Sequence, residues 1–306
     1  HEGCGNVEEI GKNVTRVKKG DKIALNWAPN CGKCFYCIHS RPSLCEAYTE
    51  LIWDGYLMDG TTRMSIDGKL LYHYCALSCL SEYAVVPEAS CVIMPNEIPD
   101  DVAALIGCAV TTGVGSALNT VQISKDDTVA VLGAGGVGLS TIMGVAYAGA
   151  SQIIAIDIVP EKEIIARNVG ATDFLLSSQD TIKQIKSITN NRGVDYAFEA
   201  VGIPKLQELA FEIVRPGGTL VLSGITPMGS ETNFSGAVLT RQEKTVKGSY
   251  YGTSDTSRDF RNYANLFLAG ELPIDKMISR SYDLDQVNEA YKDMLAGKGG
   301  RGIIRF

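Results

Sequence analysis

Apolar runs of strand length recur through the middle of the chain, at residues 129–132, 153–156, 196–199 and 219–223, and helical patterns such as 160–169, closed by Gly170, lie between them. Strand and helix alternating in this way predict βαβ units in a parallel sheet. Before residue 100 the texture differs. Gly, Val and turn residues break up short alternating runs, such as 82–87, and predict irregular β structure. Pro99-Asp100-Asp101 predicts a helix start ahead of residues 102–106. Past Tyr250 the alternation stops, and a polar loop leads to helical segments at 259–269 and 284–296 and a last short strand ending at Phe306. There is no internal repeat and no low-complexity segment.

Two charge-free stretches, 102–124 and 128–156, are long enough to pass for membrane helices. Glycines and threonines interrupt both, and Asp and Lys flank them, so they are expected to be buried units of an α/β core, with no membrane as partner. At 306 residues the chain has room for two domains. A net charge of -7 leaves no basic footprint, which argues against nucleic acid or an anionic membrane surface and keeps small neutral or anionic substrates open. No signal peptide is visible. The chain opens on His1 rather than Met, inside a motif, and its true N-terminus and any targeting signal are expected to lie further upstream. Of the nine cysteines four fall within fifteen residues, a spacing that suits metal better than disulfides, and a reducing, cytoplasmic setting is expected.

Those four form the pattern Cys31-x2-Cys34-x2-Cys37-x7-Cys45, whose thiolates can close a tetrahedron around one Zn²⁺. All four positions would then be filled by protein, which makes such a site structural. An iron-sulfur cluster or unliganded thiols are the alternatives. A second motif, Gly133-Ala134-Gly135-Gly136-Val137-Gly138, follows a predicted strand and opens a predicted helix, with Asp157 at the end of the next strand. Gly133, Gly135, Gly136, Val137 and Gly138 would bring backbone N–H groups close to a pyrophosphate at the helix N-terminus. Asp157 would accept hydrogen bonds from the adenosine ribose and repel a 2′-phosphate, which selects NAD over NADP. A glycine-rich turn that only packs helix on strand is the alternative. Taken alone, His1 and Cys108 suggest no more than a solvated chain end and a small packed hydrophobe.

Together these motifs resemble the zinc-dependent medium-chain alcohol dehydrogenases, near the branch of the class III and aryl-alcohol enzymes. The likeness runs from His1 to Phe306. It rests on His1-Glu2-Gly3, the four-cysteine lobe, Ile106-Gly107-Cys108 with Thr111-Thr112-Gly113, the Gly133–Gly138 loop, Lys247-Gly248-Ser249-Tyr250-Tyr251-Gly252 and the strand at Arg301. The resemblance implies an α/β fold in which a Rossmann-type doubly wound parallel sheet joins a GroES-like, β-rich catalytic domain. Residues 1–109 and 251–306, with the zinc lobe at 31–45, are assigned to the catalytic domain, and 110–250 to the NAD-binding domain. His1, Glu2 and Cys108 fall on places that hold a catalytic zinc. A further cysteine ligand and the start of the proton relay are expected ahead of His1, so the catalytic domain is expected to be incomplete at its N-terminus and the chain as it stands impaired. Thr112, Lys162, Ile225, Tyr251 and Arg301 fall on NAD contacts, with Arg301 on the pyrophosphate, where a guanidinium fork suits phosphate oxygens. Trp27, Tyr74 and Cys75 match positions lining the substrate pocket.

The implied reaction passes a hydride between a primary alcohol and NAD, giving the aldehyde, with the zinc as Lewis acid. Aromatic alcohols and thiol adducts are the candidate substrates. The alternatives are a zinc-free quinone or enoyl reductase of the same superfamily, or a non-catalytic NAD- or zinc-binding protein. Family members pair through the last strand of this sheet, here near 245–250, and a homodimer or homotetramer is expected.

Overall fold

The computed structural model describes residues 1–306. Short strands dominate the first hundred residues: β1 (Cys4–Asn6), β2 (Lys22–Leu25), β3 (Met64–Ile66), β4 (Lys69–Leu71) and β5 (Cys91–Ile93). β2 lies between β1 and β5 in an antiparallel sheet, while β3 and β4 form a hairpin. The two turn residues of that hairpin, Asp67 and Gly68, have φ of 48° and 76°, the left-handed pair that matches the twist of flanking strands. The alternating run at 82–87 forms no strand. Tyr83, Ala84 and Val85 are exposed there, no strand lies alongside to pair with them, and Pro87 lacks a donor.

The predicted α/β alternation is realised as a six-stranded, wholly parallel sheet. Its strands are β6 (Thr128–Leu132), β7 (Gln152–Asp157), β8 (Asp173–Leu176), β9 (Val194–Glu199), β10 (Val214–Leu222) and β11 (Thr245–Gly248). The spatial order is β8-β7-β6-β9-β10-β11. Strand order therefore reverses between β6 and β9, and in open α/β sheets ligands bind in the crevice outside the carboxyl ends of the strands at this switch point. Residues 129–132 and 153–156 are buried on both faces, which explains why they read as unbroken apolar runs.

The helix Asp100–Thr120 is long and apolar enough to cross a membrane, but it is mostly buried inside the protein. It packs on the helix Gly136–Ala148 at glycines. A Cβ on Gly113 would lie 2.4 Å from the Val137 carbonyl oxygen, and one on Gly144 would lie 2.9 Å from Val114 Cα. The Thr111-Thr112-Gly113 motif is thus also a helix crossing. One π turn interrupts the long helix, at Ile106–Val110, and a second ends it, at Ser116–Thr120. The Thr111 hydroxyl donates to the Ile106 carbonyl at 2.6 Å, supplying one of the carbonyls that a π turn frees.

The chain ends on the helices Thr256–Leu268 and Val287–Leu295 and a parallel pair, β12 (Ile278–Asp283) with β13 (Arg301–Arg305). One apolar cluster runs from Ile23 and Leu25 through Val131 to Phe260, so the N-terminal sheet, the parallel sheet and the C-terminal helices share a core. The boundary expected at 109/110 falls inside the Asp100–Thr120 helix.

Candidate functional site

The lobe at 31–45 is organised by its four cysteines. Gly32, with φ of 72°, turns the chain after Cys31, a four-residue helix Phe35–Ile38 carries Cys37, and the turn Pro42–Leu44 delivers Cys45. All four Sγ atoms lie within 4.8 Å of one another, with Cys31–Cys37 at 4.0 Å and Cys34–Cys45 at 3.9 Å. A tetrahedron with Zn–S bonds of about 2.3 Å has S···S edges of about 3.8 Å, so the donor set fits one zinc. Backbone N–H groups of Lys33 and Cys34 lower the Cys31 thiol to about 6, and the N–H of Cys37 lowers Cys34. Burial raises Cys37 and pushes Cys45 to about 12. Four thiols held this close suit a site completed by a cation.

The glycine loop lies at the switch point. Gly133 has φ of 97°, and a Cβ there would lie 2.3 Å from Val201 Cγ2; a Cβ on Gly138 would lie 1.7 Å from the Gly133 carbonyl oxygen. These two glycines are demanded by packing. Gly135 has open space where a Cβ would stand, while a Cβ on Gly136 would meet the Arg301 guanidinium. That leaves a cradle at the N-terminus of the Gly136–Ala148 helix, floored by backbone and covered by one guanidinium, which fits a pyrophosphate. Val137 turns its carbonyl onto Gly113. Asp157, at the end of β7, accepts from the Ala134 N–H at 2.7 Å, the Val159 N–H at 3.0 Å and Lys162 Nζ at 3.0 Å. Ile225, beyond β10, is largely exposed on the same side of the sheet.

Glu2 and Cys108 come together although 106 positions separate them. Glu2 Oε1 accepts the N–H of Ala109 at 2.8 Å, and Oε2 is paired with Arg301. Cys108 sits on the first π turn, its Sγ 3.9 Å from Thr112 Oγ1; burial, and then the Glu2 charge, push its thiol up to about 12. The His1 ring stands edge-on to Tyr74, with centroids 5.6 Å apart, and to Trp27, at 6.3 Å. Cys75 is buried next to Tyr74 in a left-handed conformation, with φ of 52°. Trp27 also packs on Tyr251, Tyr250 and Trp53. Tyr251 is buried and its hydroxyl donates to the Gly107 carbonyl, so its ring is part of the packing rather than a free surface. Beyond this aromatic wall a cavity of about 320 Å³ opens between Arg41 and Leu44 of the lobe and Ile225 and Tyr250.

The predicted residues thus fall into three neighbourhoods: the lobe, the glycine loop with Asp157 and Lys162, and a corner where Glu2 approaches Cys108 and His1 stands on the aromatic wall; only the four lobe cysteines lie close enough to share a metal as they stand. Arg301 touches the last two. Sequence reasoning missed Trp53 and Tyr250 in the wall, and it missed Glu199 at the end of β9. The signal for Glu199 was an acid directly following the apolar residues Ala197 and Phe198 at the end of a strand.

Family comparisons agree with this geometry. The model described as "Alcohol dehydrogenase GroES-like domain" matches residues 1–96, and that described as "Zinc-binding dehydrogenase" matches 136–269. The chain is 37% identical to alcohol dehydrogenase class-3 of Myxine glutinosa, over 100% of this chain and 82% of that protein. It is 36% identical to S-(hydroxymethyl)glutathione dehydrogenase of Escherichia coli, over 100% of this chain and 84% of that one. The crystal structure of benzyl alcohol dehydrogenase from Acinetobacter calcoaceticus superposes with a TM-score of 0.92 at 29% identity, covering 100% of this chain and 83% of that chain.

Proposed function

This chain belongs to the zinc-dependent medium-chain alcohol dehydrogenases, and from that premise we propose which residues do the work and on what substrate. The observation that carries the proposal is the position of Arg301, paired with Glu2 on one side and lying over Gly136 on the other. It joins the corner assigned to the alcohol to the cradle assigned to NAD.

In this reading His1, Cys108 and, as an additional donor, Glu2 hold the catalytic zinc, and the four lobe cysteines hold the structural one. When bound, the zinc would supply Lewis acidity toward the alcohol oxygen and NAD would supply the hydride acceptor. The chain's own residues bind and orient. Backbone N–H groups from Gly135 to Gly138 and the Arg301 guanidinium take the pyrophosphate, Asp157 and Lys162 take the adenosine ribose, and Thr112, Ile225 and the Tyr251 backbone border the nicotinamide half. Residues 1–109 and 251–306 act as the catalytic part and 110–250 as the NAD-binding part.

Trp27, Tyr74 and Cys75 line the alcohol site, and the rings of Trp27 and Tyr74 favour a flat apolar group beside the hydroxyl. A primary aromatic alcohol is the substrate this wall fits best. Its similarity to a benzyl alcohol dehydrogenase supports that choice, and its similarity to an S-(hydroxymethyl)glutathione dehydrogenase names the competing substrate. We assign the protein to the cytoplasm as a homodimer or homotetramer that pairs through β11. The test is NADH formation from benzyl alcohol and from S-hydroxymethylglutathione by the full-length protein, followed by absorbance after zinc loading. A higher kcat/KM for benzyl alcohol is expected. A clear preference for the glutathione adduct would overturn the substrate, and failure of the protein to bind NADH would overturn the site.

A further inference from the structure

Glu199 is a carboxylate with no solvent exposure at the end of β9, and its hydrogen-bond partners are all neutral. Oε1 accepts two successive N–H groups, Val201 at 2.9 Å and Gly202 at 2.8 Å, and Oε2 accepts Gln207 Nε2 at 3.3 Å. A buried carboxylate is costly, and this one is spent on fixing a single turn. The turn has a defined place. β9 borders the switch point, so Val201 and Gly202 lie at the carboxyl ends of the strands where the dinucleotide crevice opens.

The turn is wedged on two sides. Val201 Cγ2 packs so close to Gly133 that a Cβ there would lie 2.3 Å away. A Cβ on Gly202, whose φ is 87°, would lie 2.3 Å from the Ile225 carbonyl oxygen, and one on Gly224 would lie 2.1 Å from the Gly202 nitrogen and 2.6 Å from Glu199 Oε2. Gly133 begins the pyrophosphate cradle, and Ile225 borders the nicotinamide half. One turn therefore touches both ends of the reactive half of the cofactor site. Val201 is 46% exposed, and its neighbours Ile203 and Ile225 are also exposed in large part.

We propose that Glu199 is a positioning residue for the dinucleotide: it clamps the Val201–Gly202 turn between the Gly133 loop and Ile225, and so sets the crevice for the pyrophosphate and nicotinamide half of NAD. This rests on the NAD site described above. The adenosine end, at Asp157 and Lys162, lies across β6 and meets the Gly133 loop through the Ala134 N–H on Asp157, while Val201 and Gly202 make no hydrogen bond to it.

The test compares the native protein with Glu199→Ala and Glu199→Gln, measuring the Kd of NADH by fluorescence, the Kd of AMP by competition and the thermal midpoint. Glu199→Ala leaves two turn N–H groups without their acceptor and should weaken NADH on the order of tenfold, while AMP changes by less than about twofold. Glu199→Gln keeps one oxygen for both N–H groups and should restore NADH binding to within about threefold of native. Equal losses for AMP and NADH, no loss for either, or no rescue by Gln would overturn the proposal. Native protein that failed to bind NADH would instead overturn the assignment of the NAD site. If Glu199→Ala does not fold, Val201→Gly removes the contact with Gly133 and leaves the carboxylate in place. It should show the same selective loss of NADH, and unchanged NADH binding would refute the clamp.

Discussion

Replacing Asp157 by Ser should turn the cofactor preference of this protein toward NADP, and the structure sets the size of the effect. Asp157 is buried at the end of β7 and its carboxylate takes three donors, one of them Lys162 Nζ at 3.0 Å. A unit charge about 5 Å from this carboxylate, at an effective dielectric of about 20, is repelled by about 3 kcal/mol, and a 2′-phosphate carries up to about two such charges. Lys162 cancels much of that repulsion in the native protein. The net discrimination is therefore expected at about 1.5–3 kcal/mol, or roughly 10- to 100-fold in the ratio of affinities. Asp157→Ser removes the repulsion and also frees Lys162 to pair with the phosphate. The NADH to NADPH affinity ratio should fall by about 10- to 100-fold, and adding Lys162→Ala should return about half of that change on a logarithmic scale. Because the Ala134 and Val159 N–H groups lose a charged acceptor, the variant should also unfold at lower urea, by about 1.5–3 kcal/mol. Kd values for NADH and NADPH, read by fluorescence on all three proteins, decide it. An unchanged ratio in Asp157→Ser would show that this carboxylate does not read the ribose.

Three further outcomes follow from named contacts. Cys34→Ser should abolish zinc binding at the lobe and make the remaining lobe thiols freely titratable, as read by metal analysis and thiol counting; zinc retained at the native level would refute the tetrahedral site. Arg301→Gln removes a guanidinium that pairs with a half-buried Glu2 and lies over Gly136, so NADH affinity should fall about tenfold or more. Arg301→Lys should recover only part of it, because a point charge cannot serve both partners, and full recovery by Lys would refute the bridging role. Gly113→Val places atoms where a Cβ already lies 2.4 Å from the Val137 carbonyl oxygen and 2.5 Å from Ser140 Cβ, and should cost about 3 kcal/mol or more in urea unfolding; native-like stability would refute the tight helix crossing.

What the sequence made legible was local. The four cysteines lie within fifteen residues, so their spacing alone fixes a ligand set, and the glycine loop is bracketed by its own strand and helix. The strands 129–132 and 153–156 were legible because burial on both faces leaves no polar interruption. β8 was not, since Asp173–Leu176 is short, sits at the sheet edge and is only partly buried. The run 82–87 misled because alternation reports a half-buried strand only where a partner strand exists. The π turn at Cys108 had no local signal: it depends on Thr111 bonding back five residues. Left-handed Cys75, Ala76 and Ser78 carry none of the glycine or asparagine chemistry that would flag them. Glu199 and Arg301 take their meaning from partners brought near by the fold.

The pairing of Glu2 with Arg301 spans 299 positions and brings the first residues of the chain onto the last strand. Other long-range contacts hold the same seam. Asn26 Nδ2 donates to Thr256 Oγ1 at 2.7 Å, and Arg305 reaches Asp101 at 2.7 Å, on the helix that carries Cys108. Arginine loses considerable rotamer freedom when it is fixed on a ligand. Here Glu2 already bears part of that loss, since it holds the guanidinium over Gly136 before any pyrophosphate arrives. The arrangement has a reciprocal consequence. A group that draws on the Arg301 charge from the cofactor side weakens its hold on Glu2, and anything that binds the Glu2 carboxylate loosens Arg301 from Glu2 by the same free energy. The cofactor cradle and the Glu2–Cys108 corner are therefore linked through one shared side chain.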